Sequence, residues 1–434
     1  MEKVALISFG CAKNLVDSEV MLGYLEKARY TFVTDPGEAD IVIFNTCGFI
    51  EPAKQEARGA LKEAVAFKKK GKKTVAVGCY VERYKERLMK KYPEIDVWLG
   101  VNDFDKIVQA IEEKPFKKSQ HCFLYDHASP RYIQTPPSWT YVKISEGCSH
   151  ECSFCAIPFI KGPYRSRSVS SILKEAEKLS SRGVKEINLI SQDTTYFGRD
   201  QGLEDGLSLL LKELLKIQNI EWIRILYGYP EEISDSLLGV MQEERICSYL
   251  DIPFQHSNSR IIKKMKRGMD GRRALKFIQK LREKLPDIAL RTSLVVGFPG
   301  EDKREFEDLE KFVQEARFDH LGVFTYSKEE GTDCFDFEDP VKENMKKKRK
   351  DKIMAIQSEI SFENNKKYLN QSLDVLIEGI PKENPDILIG RGRFQAPEVD
   401  GMILIDAPRK WEKMVNTIQK VEITGGDVYD LYGK

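Results

Sequence analysis

The sequence lacks an excess of either charge and has no long hydrophobic run. Its 434 residues include 69 Lys and Arg and 68 Asp and Glu, so the net charge is +1. This balance gives the whole chain no attraction to nucleic acid, although a local basic patch remains compatible with it. No apolar stretch approaches the roughly 18 residues that cross a membrane. The N-terminal apolar stretch is also too short for a secretory signal, so we expect a cytoplasmic protein without membrane contact.

Cysteine is the informative residue, because six of the nine cysteines fall into two sets of three. In a reducing compartment such sets are more often metal ligands or catalytic groups than disulfides. Three thiolates on a four-iron cluster leave one iron open for another ligand. The remaining cysteines are isolated and are expected to be ordinary buried or tolerated thiols. We name the sets the compact triplet (Cys148, Cys152 and Cys155) and the dispersed triplet (Cys11, Cys47 and Cys79); the isolated cysteines are Cys122, Cys247 and Cys334.

Residues 1–118 alternate between strand and helix patterns, which predicts a doubly wound α/β domain. The strand segments are short, β-branched and almost continuously apolar, as in a parallel sheet covered on both faces. Each cysteine of the dispersed triplet lies within two residues of a predicted strand end. Ligands gather at such ends, so we expect the three to meet at one edge of the sheet; three unrelated core cysteines are the alternative. The predicted strands are Val4–Phe9, Ile41–Asn45 and Thr74–Val77, and the helices include Ser18–Lys27 and Pro52–Lys69.

Glycines flank the dispersed triplet. Gly10 and Gly78 precede two of its cysteines and Gly48 follows the third. Glycine suits turns in which the backbone passes close to a bound group, so these positions favour a binding site over a chance grouping.

Residues 134–365 follow a proline-containing linker near 129–138 and predict a barrel. Six strand candidates alternate with helices, and six βα repeats cannot close an eight-stranded barrel. We therefore expect an open, partial (β/α)6 barrel with its site at the carboxyl ends of the strands. The predicted strands are Tyr141–Ser145, Glu186–Ser191, Trp222–Tyr227, Tyr249–Phe254, Leu290–Phe298 and His320–Tyr326; the helices include Val169–Ser181, Leu207–Ile217, Ile233–Glu243, Arg272–Lys284 and Lys303–Glu315.

Two segments complete the chain. A charged helix is predicted over Glu343–Lys367, and its basic run, residues 346–350 (Lys-Lys-Lys-Arg-Lys), indicates a solvated face, with a nucleic-acid patch as the alternative. Residues 367–434 contain short strands and glycine-rich turns, which predict a small antiparallel β-barrel. This tail has 9 Lys or Arg and 11 Asp or Glu, a net charge of −2, whereas a barrel that grips RNA should be basic.

The compact triplet directly follows the first barrel strand as Cys-x3-Cys-x2-Cys. A zinc site normally has four ligands, usually as two Cys-x-x-Cys pairs. No fourth cysteine is near in sequence, and zinc would need His150, which lies between two of the cysteines. The spacing suits three corners of a cubane instead, with zinc as the alternative.

This motif at the first strand of a partial barrel resembles the radical S-adenosylmethionine (SAM) superfamily. The resemblance implies that the open iron binds the amino and carboxylate groups of SAM, and that one electron cleaves SAM to a 5′-deoxyadenosyl radical. It implies further contacts with SAM, for each of which ordinary core packing is the alternative. These are Phe154 beside the adenine, Ser191 and Gln192 facing the amino group, Arg224 on the carboxylate, and Thr292 and Val296 packing on the adenine.

The whole chain resembles the methylthiotransferases of this superfamily, which combine such a barrel with an N-terminal α/β domain and a C-terminal TRAM-like barrel. The resemblance implies two 4Fe-4S clusters, the second held by the dispersed triplet with the transferred sulfur on its open iron. One SAM methylates that sulfur, and a second provides the radical that activates a carbon of the substrate. An electron donor such as flavodoxin or ferredoxin is implied as a partner.

Several segments resemble the branch that modifies a ribosomal protein more than the branch that modifies tRNA adenosine. The implied substrate is an aspartate β-carbon on the twelfth protein of the small ribosomal subunit, with nucleic acid contacted only through the ribosome. The acidic tail agrees, because that protein is basic. The alternatives are the same reaction on tRNA and a non-enzymatic cluster carrier. The segments are Gly10–Glu19, Asn45–Lys54, Ser191–Thr195, Tyr249–His256 and Ala396–Gly401.

Overall fold

The computed structural model describes residues 1–338, 341–381, 384–408 and 411–434. Within these ranges no helix combines the length and the apolar character that crossing a membrane requires. The described chain contains a parallel α/β sheet, a partial barrel and a small closed barrel, in that order. The predicted fold class is therefore confirmed.

The N-terminal unit is a five-stranded parallel sheet in the order β2-β1-β3-β4-β5. The central strand β3 is buried at all six positions, because helices cover both faces of the sheet. The observed strands extend each prediction by at most one residue at an end or shift it by one. The strands are β1 (Lys3–Ser8), β2 (Thr31–Phe32), β3 (Ile41–Thr46), β4 (Lys73–Gly78) and β5 (Val97–Leu99); the helices are α1 (Ala12–Lys27), α2 (Glu51–Lys69), α3 (Cys79–Lys91) and α4 (Ile107–Ile111).

The central unit contains the six predicted barrel strands, paired in parallel as β6-β9-β10 and β11-β12-β13. Backbone hydrogen bonds from Ile223 to Arg245 and from Cys247 to Ile223 join the two halves. The strands are β6 (Trp139–Lys143), β7 (Ser145–Glu146), β8 (Arg165–Ser166), β9 (Glu186–Ile190), β10 (Trp222–Ile225), β11 (Tyr249–Asp251), β12 (Ala289–Val296) and β13 (His320–Thr325). The helices are α5 (Ile157–Lys161), α6 (Val169–Ser181), α7 (Gly206–Leu214), α8 (Asp235–Val240), α9 (Ser259–Lys264), α10 (Gly271–Lys284), α11 (Lys303–Ala316) and α12 (Glu343–Lys366).

Helix α12 carries the basic run, and the barrel divides that run between core and solvent. Lys346 and Arg349 are buried, and Arg349 donates to the carboxylate of Glu301 at 2.7 Å. The side chains of Lys347, Lys348 and Lys350 are exposed. A solvated face is thus correct for only three of the five basic residues, because the other two pack against the barrel.

The C-terminal unit is a closed five-stranded barrel in the order β14-β15-β16-β18-β17. The pairings are antiparallel except that between β16 and β18, which is parallel. Strand β18 follows β17 and closes the barrel against β16, so the predicted barrel is confirmed with one parallel seam. The strands are β14 (Ser372–Gly379), β15 (Ile387–Arg391), β16 (Ile403–Asp406), β17 (Ile418–Gly426) and β18 (Leu431–Gly433).

Buried ion pairs attach the N-terminal unit to both ends of the row of barrel strands. At the first end, Arg131 in the predicted linker binds Glu19 of α1 at 2.6 Å and Glu175 of α6 at 2.8 Å. At the last end, Glu329 accepts from Lys54 of α2 at 2.8 Å and from Arg83 of α3 at 2.7 Å. The N-terminal unit therefore bridges the two edges of the open barrel.

The C-terminal barrel attaches to the interior of the partial barrel. Glu186, at the start of β9, binds Arg391 at 2.6 Å and Arg224 at 2.8 Å. The hydroxyl of Tyr141 donates to Glu398 at 2.9 Å, and that of Tyr249 donates to Asp400 at 2.7 Å. The segment Ala396–Gly401 thus serves as a packing contact inside the molecule.

Candidate active site

The dispersed triplet lies at the carboxyl ends of three adjacent strands. Cys11 follows β1 and directly precedes α1, Cys47 directly follows β3, and Cys79 is the first residue of α3 after β4. The order β1-β3-β4 places these ends side by side. Asn14 lies between two of the loops, with its Oδ1 3.9 Å from Cys79 Sγ and its Nδ2 donating to the Phe9 carbonyl at 2.8 Å.

Two glycines make this close approach possible. A Cβ added to Gly10, which has a φ of +94°, would lie 2.7 Å from Cys47 Cβ and 3.1 Å from Cys47 Sγ. A Cβ on Gly48 would lie 2.7 Å from the Cα of Tyr80 and 2.9 Å from its nitrogen. The loops that carry the three cysteines therefore touch at positions where only glycine fits, as the sequence predicts.

Burial and mutual repulsion raise the pKa values of two of these thiols, Cys47 and Cys79. Burial, followed by the charge of Cys11, raises the pKa of Cys47 to about 11. Burial also raises the pKa of Cys79 well above its usual range, opposed by the ammonium of Lys161 and reinforced by Cys47 and Cys11. Neutral buried thiols of this kind bind metal with release of protons, since the thiolate is the ligand.

The compact triplet lies in a loop between β7 and α5. The Cys155 amide donates to the Cys152 carbonyl at 3.1 Å, and the Cys148 amide donates to the Gly162 carbonyl at 3.1 Å, which folds the loop back on itself. Burial, and then repulsion from Cys152, raise the pKa of Cys155 to about 12. The first and last of the three cysteines are only seven residues apart in sequence, and the folded loop keeps the three thiols close together.

No three His, Cys, Asp or Glu side chains in the described ranges converge as the ligands of a single ion. The ligands of a four-iron cluster each bind a different iron, so they stand farther apart than the ligands of one zinc ion. His150, the alternative zinc ligand, bonds through Nε2 to Asp193 at 2.6 Å and stacks on Tyr229 with ring centroids 3.8 Å apart.

Arg267 is a residue near the compact triplet that the sequence did not reveal. Its Nη1 lies 3.7 Å from Cys152 Sγ, its Nη2 donates to the Pro253 carbonyl at 2.8 Å, and its guanidinium lies 3.8 Å from the ring centroid of Tyr229. Hydrogen bonds to cluster sulfurs raise reduction potentials, so Arg267 suits a thiolate ligand. It lies 112 residues from the last cysteine of the triplet, and no local pattern marks it.

Ser191 and Gln192, predicted to face SAM, lie just beyond the end of β9. The Gln192 Nε2 donates to Glu146 at 2.6 Å, and because a carboxylate only accepts, this fixes the orientation of the amide. The Gln192 Oε1 is buried and has no partner among the described residues. An unpaired buried acceptor is costly, so this atom fits a donor such as the amino group of a bound amino acid.

The predicted adenine contacts separate into two groups. Phe154 and Val295 of β12 both pack against one hydrophobic cluster. Val296 instead belongs to the hydrophobic core between the barrel strands and the helices that cover them. The Thr292 hydroxyl donates at 2.8 Å to the carbonyl of Ile252, which directly follows β11. Residues alternate along a strand, so Thr292 and Val296 point away from Val295. The sequence pattern located the strand but not which of its faces lines the interior.

Arg224, predicted to bind the SAM carboxylate, has protein partners. Its Nε donates to Glu186 at 2.8 Å and its Nη1 donates to the Arg393 carbonyl at 2.6 Å. Both partners lie at the contact with the C-terminal barrel, at the start of β9, whereas the compact triplet lies at the strand ends. The Nη2 atom is buried and has no partner in the described part of the chain. The structure therefore does not bring Arg224 together with the cysteines.

A buried charge cluster, which the sequence analysis missed, lies between the elements that carry the two triplets. Asp17 of α1 binds Lys143 of β6 and, at 3.2 Å, Lys161 of α5; Glu146 binds Lys143 at 2.7 Å and Lys161 at 3.3 Å. A lysine inside the apolar strand Tyr141–Ser145 and an aspartate on the buried face of α1 were the available signals, because such charges require partners.

The two triplets face a common region. Lys13, two residues after Cys11, donates to the Ser191 carbonyl at 3.3 Å and lies 3.4 Å above the ring of Tyr227. Burial and the charge of Cys11 raise the pKa of Tyr227, which follows β10. The loop of the dispersed triplet thus lies against the carboxyl ends of the barrel strands, beside the residues predicted to bind SAM.

Three family models match successive parts of the chain. Residues 3–100 match the uncharacterized protein family UPF0004, residues 142–313 match the radical SAM superfamily, and residues 371–434 match the TRAM domain. Among solved structures, the radical SAM methyltransferase TsrM from Kitasatospora setae aligns with a TM-score of 0.56 at 13% identity, covering 77% of each chain. The cobalamin-dependent radical SAM enzyme OxsB aligns with a TM-score of 0.51 at 12% identity, covering 83% of this chain and 56% of that one. These likenesses establish the fold.

The fold and the compact triplet define a radical SAM enzyme that carries a second cysteine site. Full-length relatives narrow the class further. A protein named ribosomal protein uS12 methylthiotransferase RimO from Pelobacter propionicus is 44% identical, over 100% of this chain and 98% of its own length. A protein of the same name from Aquifex aeolicus is 42% identical, over 100% of this chain and 97% of its own length. A third, from Syntrophotalea carbinolica, is 45% identical over 100% of this chain and 96% of its own. The chain belongs to the RimO family of radical SAM methylthiotransferases.

Proposed function

We propose that this chain transfers a methylthio group to an aspartate β-carbon of ribosomal protein uS12 in the cytoplasm. The observation that carries the proposal is the contact between the two cysteine sites, in which Lys13 of the dispersed-triplet loop reaches Ser191 at the end of β9. A sulfur held at one site must reach a carbon activated at the other, so the two sites must open into one cavity.

The residues present fit two iron–sulfur clusters. Cys148, Cys152 and Cys155 would hold one, beside Arg267 and the unpaired Gln192 Oε1. Cys11, Cys47 and Cys79 would hold the other, in the cradle formed by the glycine turns. When bound, the first cluster supplies the electron that cleaves SAM, and the second carries the sulfur that is transferred.

The chain's own side chains prepare this site. Gln192 offers its Oε1 to the SAM amino group while Glu146 fixes the amide. Phe154 and Val295 offer an apolar surface beside the compact triplet, which suits the adenine. The ion pairs of Arg131 and Glu329 hold the N-terminal unit across the barrel opening.

Iron content and SAM cleavage test the cofactor assignment. Anaerobic reconstitution should give about eight irons per chain, and about four after Ala replaces the three cysteines of either triplet. Loss of the compact triplet should abolish reductive SAM cleavage, whereas loss of the dispersed triplet should spare cleavage and abolish sulfur transfer. Cleavage that survives without the compact triplet would refute the assignment and would favour a site elsewhere.

The acidic C-terminal barrel favours a basic protein as substrate over tRNA, since its net charge is −2. Mass spectrometry of uS12 and of tRNA from a deletion strain separates the two substrates. We expect the methylthio mark to disappear from uS12 and to persist on tRNA. Loss from tRNA alone would overturn the choice of substrate. Reduced flavodoxin or ferredoxin should replace a chemical reductant in the same assay.

A further inference from the structure

The buried charge cluster connects the elements that carry the two triplets. Asp17 lies six residues after Cys11 on α1, and Lys161 lies six residues after Cys155 at the end of α5. Glu146, which binds Lys161 at 3.3 Å, also accepts from Gln192 at 2.6 Å. The cluster therefore joins the dispersed-triplet helix, the compact-triplet loop and the predicted SAM contact through one set of ion pairs.

Within this cluster, Lys161 is the cation on the side of the dispersed triplet. Ile160 of helix α5 and Ala156, the residue before the helix, pack on the N-terminal unit in the hydrophobic cluster that contains Cys79. Lys161 is 4% exposed, and its Nζ lies 5.6 Å from the ring centroid of Phe104, which belongs to the same hydrophobic cluster as Cys79. Lys143, the other cation, is fully buried between Asp17 and Glu146, and its Nζ lies 5.9 Å from the ring centroid of Tyr125, which belongs to a different hydrophobic cluster.

We propose that Lys161 is a positioning residue that places a permanent positive charge beside the second cluster and so raises that cluster's reduction potential. The proposal rests on the proposed function in that it requires a cluster on the dispersed triplet. Burial keeps salt and bulk solvent from screening this charge, and a nearby cation stabilises the more negative, reduced form of a cluster. The carboxylates of Asp17, at 3.2 Å, and Glu146, at 3.3 Å, hold the ammonium in place.

Two double variants with equal net charge isolate this effect. Asp17→Asn/Lys161→Met removes one carboxylate and the ammonium on the side of the dispersed triplet, and leaves the Lys143–Glu146 pair. Asp17→Asn/Lys143→Met removes the same charges but keeps Lys161 on Glu146. Each is made in a chain whose compact triplet is replaced by Ala, so that only the second cluster is present. Lys161→Arg tests rescue by a retained charge, and Lys185→Gln, at an ion pair 3.4 Å from Glu221, is a control for loss of a lysine elsewhere.

Potentiometric titration followed by electron paramagnetic resonance gives the midpoint potential of the remaining cluster. We expect Asp17→Asn/Lys161→Met to change the ratio of oxidised to reduced cluster about tenfold at fixed potential, a fall of about 59 mV for one electron. Asp17→Asn/Lys143→Met and Lys161→Arg should change the ratio less than about threefold, a bound set by the same relation. Equal shifts in both double variants, or no shift without Lys161, would overturn the proposal.

Failure of the underlying assignment gives a different result. If the chain with an intact Lys161 and no compact triplet binds no iron, the second cluster itself is refuted before any potential is measured. If the Lys161 double variant does not fold, the single change Lys161→Gln in the same background tests the same charge. The expected shift keeps its direction there, and an unchanged potential would count against Lys161.

Discussion

Gly48→Ala should disable the second cysteine site while leaving the first intact. The added Cβ would lie 2.7 Å from the Tyr80 Cα and 3.1 Å from the Cys79 carbonyl carbon. Carbon atoms pack at about 3.5–4.0 Å, so the loop after β3 and the first turn of α3 must separate by about 1 Å. Both neighbours are backbone atoms of a buried segment, since Tyr80 is 6% exposed and packs in the core on one face of the sheet. Neither can give way by rotating a side chain.

The cost of this separation follows from the geometry. Overpacking of a well-packed region costs about 1–3 kcal/mol, and the separation displaces Cys47 relative to Cys79. Metal-ligand distances tolerate deviations of about 0.2 Å, five times less than the required movement. We therefore expect a modest loss of stability together with a large loss of the second cluster.

Iron analysis after anaerobic reconstitution measures the effect. The variant should bind about four irons per chain in place of about eight, with reductive SAM cleavage retained and sulfur transfer lost. The matched control is Gly59→Ala, because an added Cβ there meets nothing within 4 Å on an exposed helix position. The control should keep all its iron and gain about 0.5–1 kcal/mol of stability. Full iron content in Gly48→Ala would refute the cradle described for the dispersed triplet.

Two further predictions concern the contacts between units. Burial disfavours the ionised form of Glu186, but Arg391 and Arg224 outweigh burial and lower the pKa of this carboxyl below its usual 4.5. The ionised carboxylate therefore stabilises the fold above pH 4.5, and this stabilisation is lost as the pH falls further. Glu186→Gln should cost about 3–5 kcal/mol at pH 7 and flatten the acid limb of a urea-midpoint profile; an unchanged profile would contradict this. Glu329→Gln should destabilise the docked N-terminal unit by a similar amount, about 3–5 kcal/mol, since Arg83 and Lys54 lose a fully buried partner. Faster proteolysis at this contact, with the barrel still protected, would support that role, whereas unchanged protection would oppose it.

Local pattern was sufficient for most of the elements. The strand predictions at Ile41–Asn45 and Glu186–Ser191 differ from the structure by one residue at an end, because both segments are short and rich in the branched apolar residues that fill buried parallel strands. The same reasoning failed for the face of β12, where Val295 and not Val296 belongs to the same hydrophobic cluster as Phe154. The two neighbouring positions are both valine, so hydrophobicity alone cannot tell which of them points inward.

For charged residues too, the sequence located the residue but did not identify its partner. The run at Lys346–Lys350 indicated one solvated face, but the barrel buries Lys346 and Arg349. Arg224 was predicted to bind the carboxylate of SAM, whereas in the structure it binds Glu186. The partner of a buried charge lies far away in sequence, so its identity depends on how the units dock.

The sequence by itself determined where the two cysteine triplets lie and predicted a cluster on each. The compact triplet lies within one short loop, and each cysteine of the dispersed triplet follows a predicted strand by two residues. Both patterns can therefore be recognised from the sequence alone. Only the tertiary structure decided how the triplets are joined. Lys13 on Ser191 and Lys161 on Asp17 are contacts between units, and Arg267 on Cys152 joins two segments 115 residues apart in sequence. Such contacts form only when distant segments of the chain come together. The hydrophobic periodicity of one segment does not show which residues of another segment it will contact.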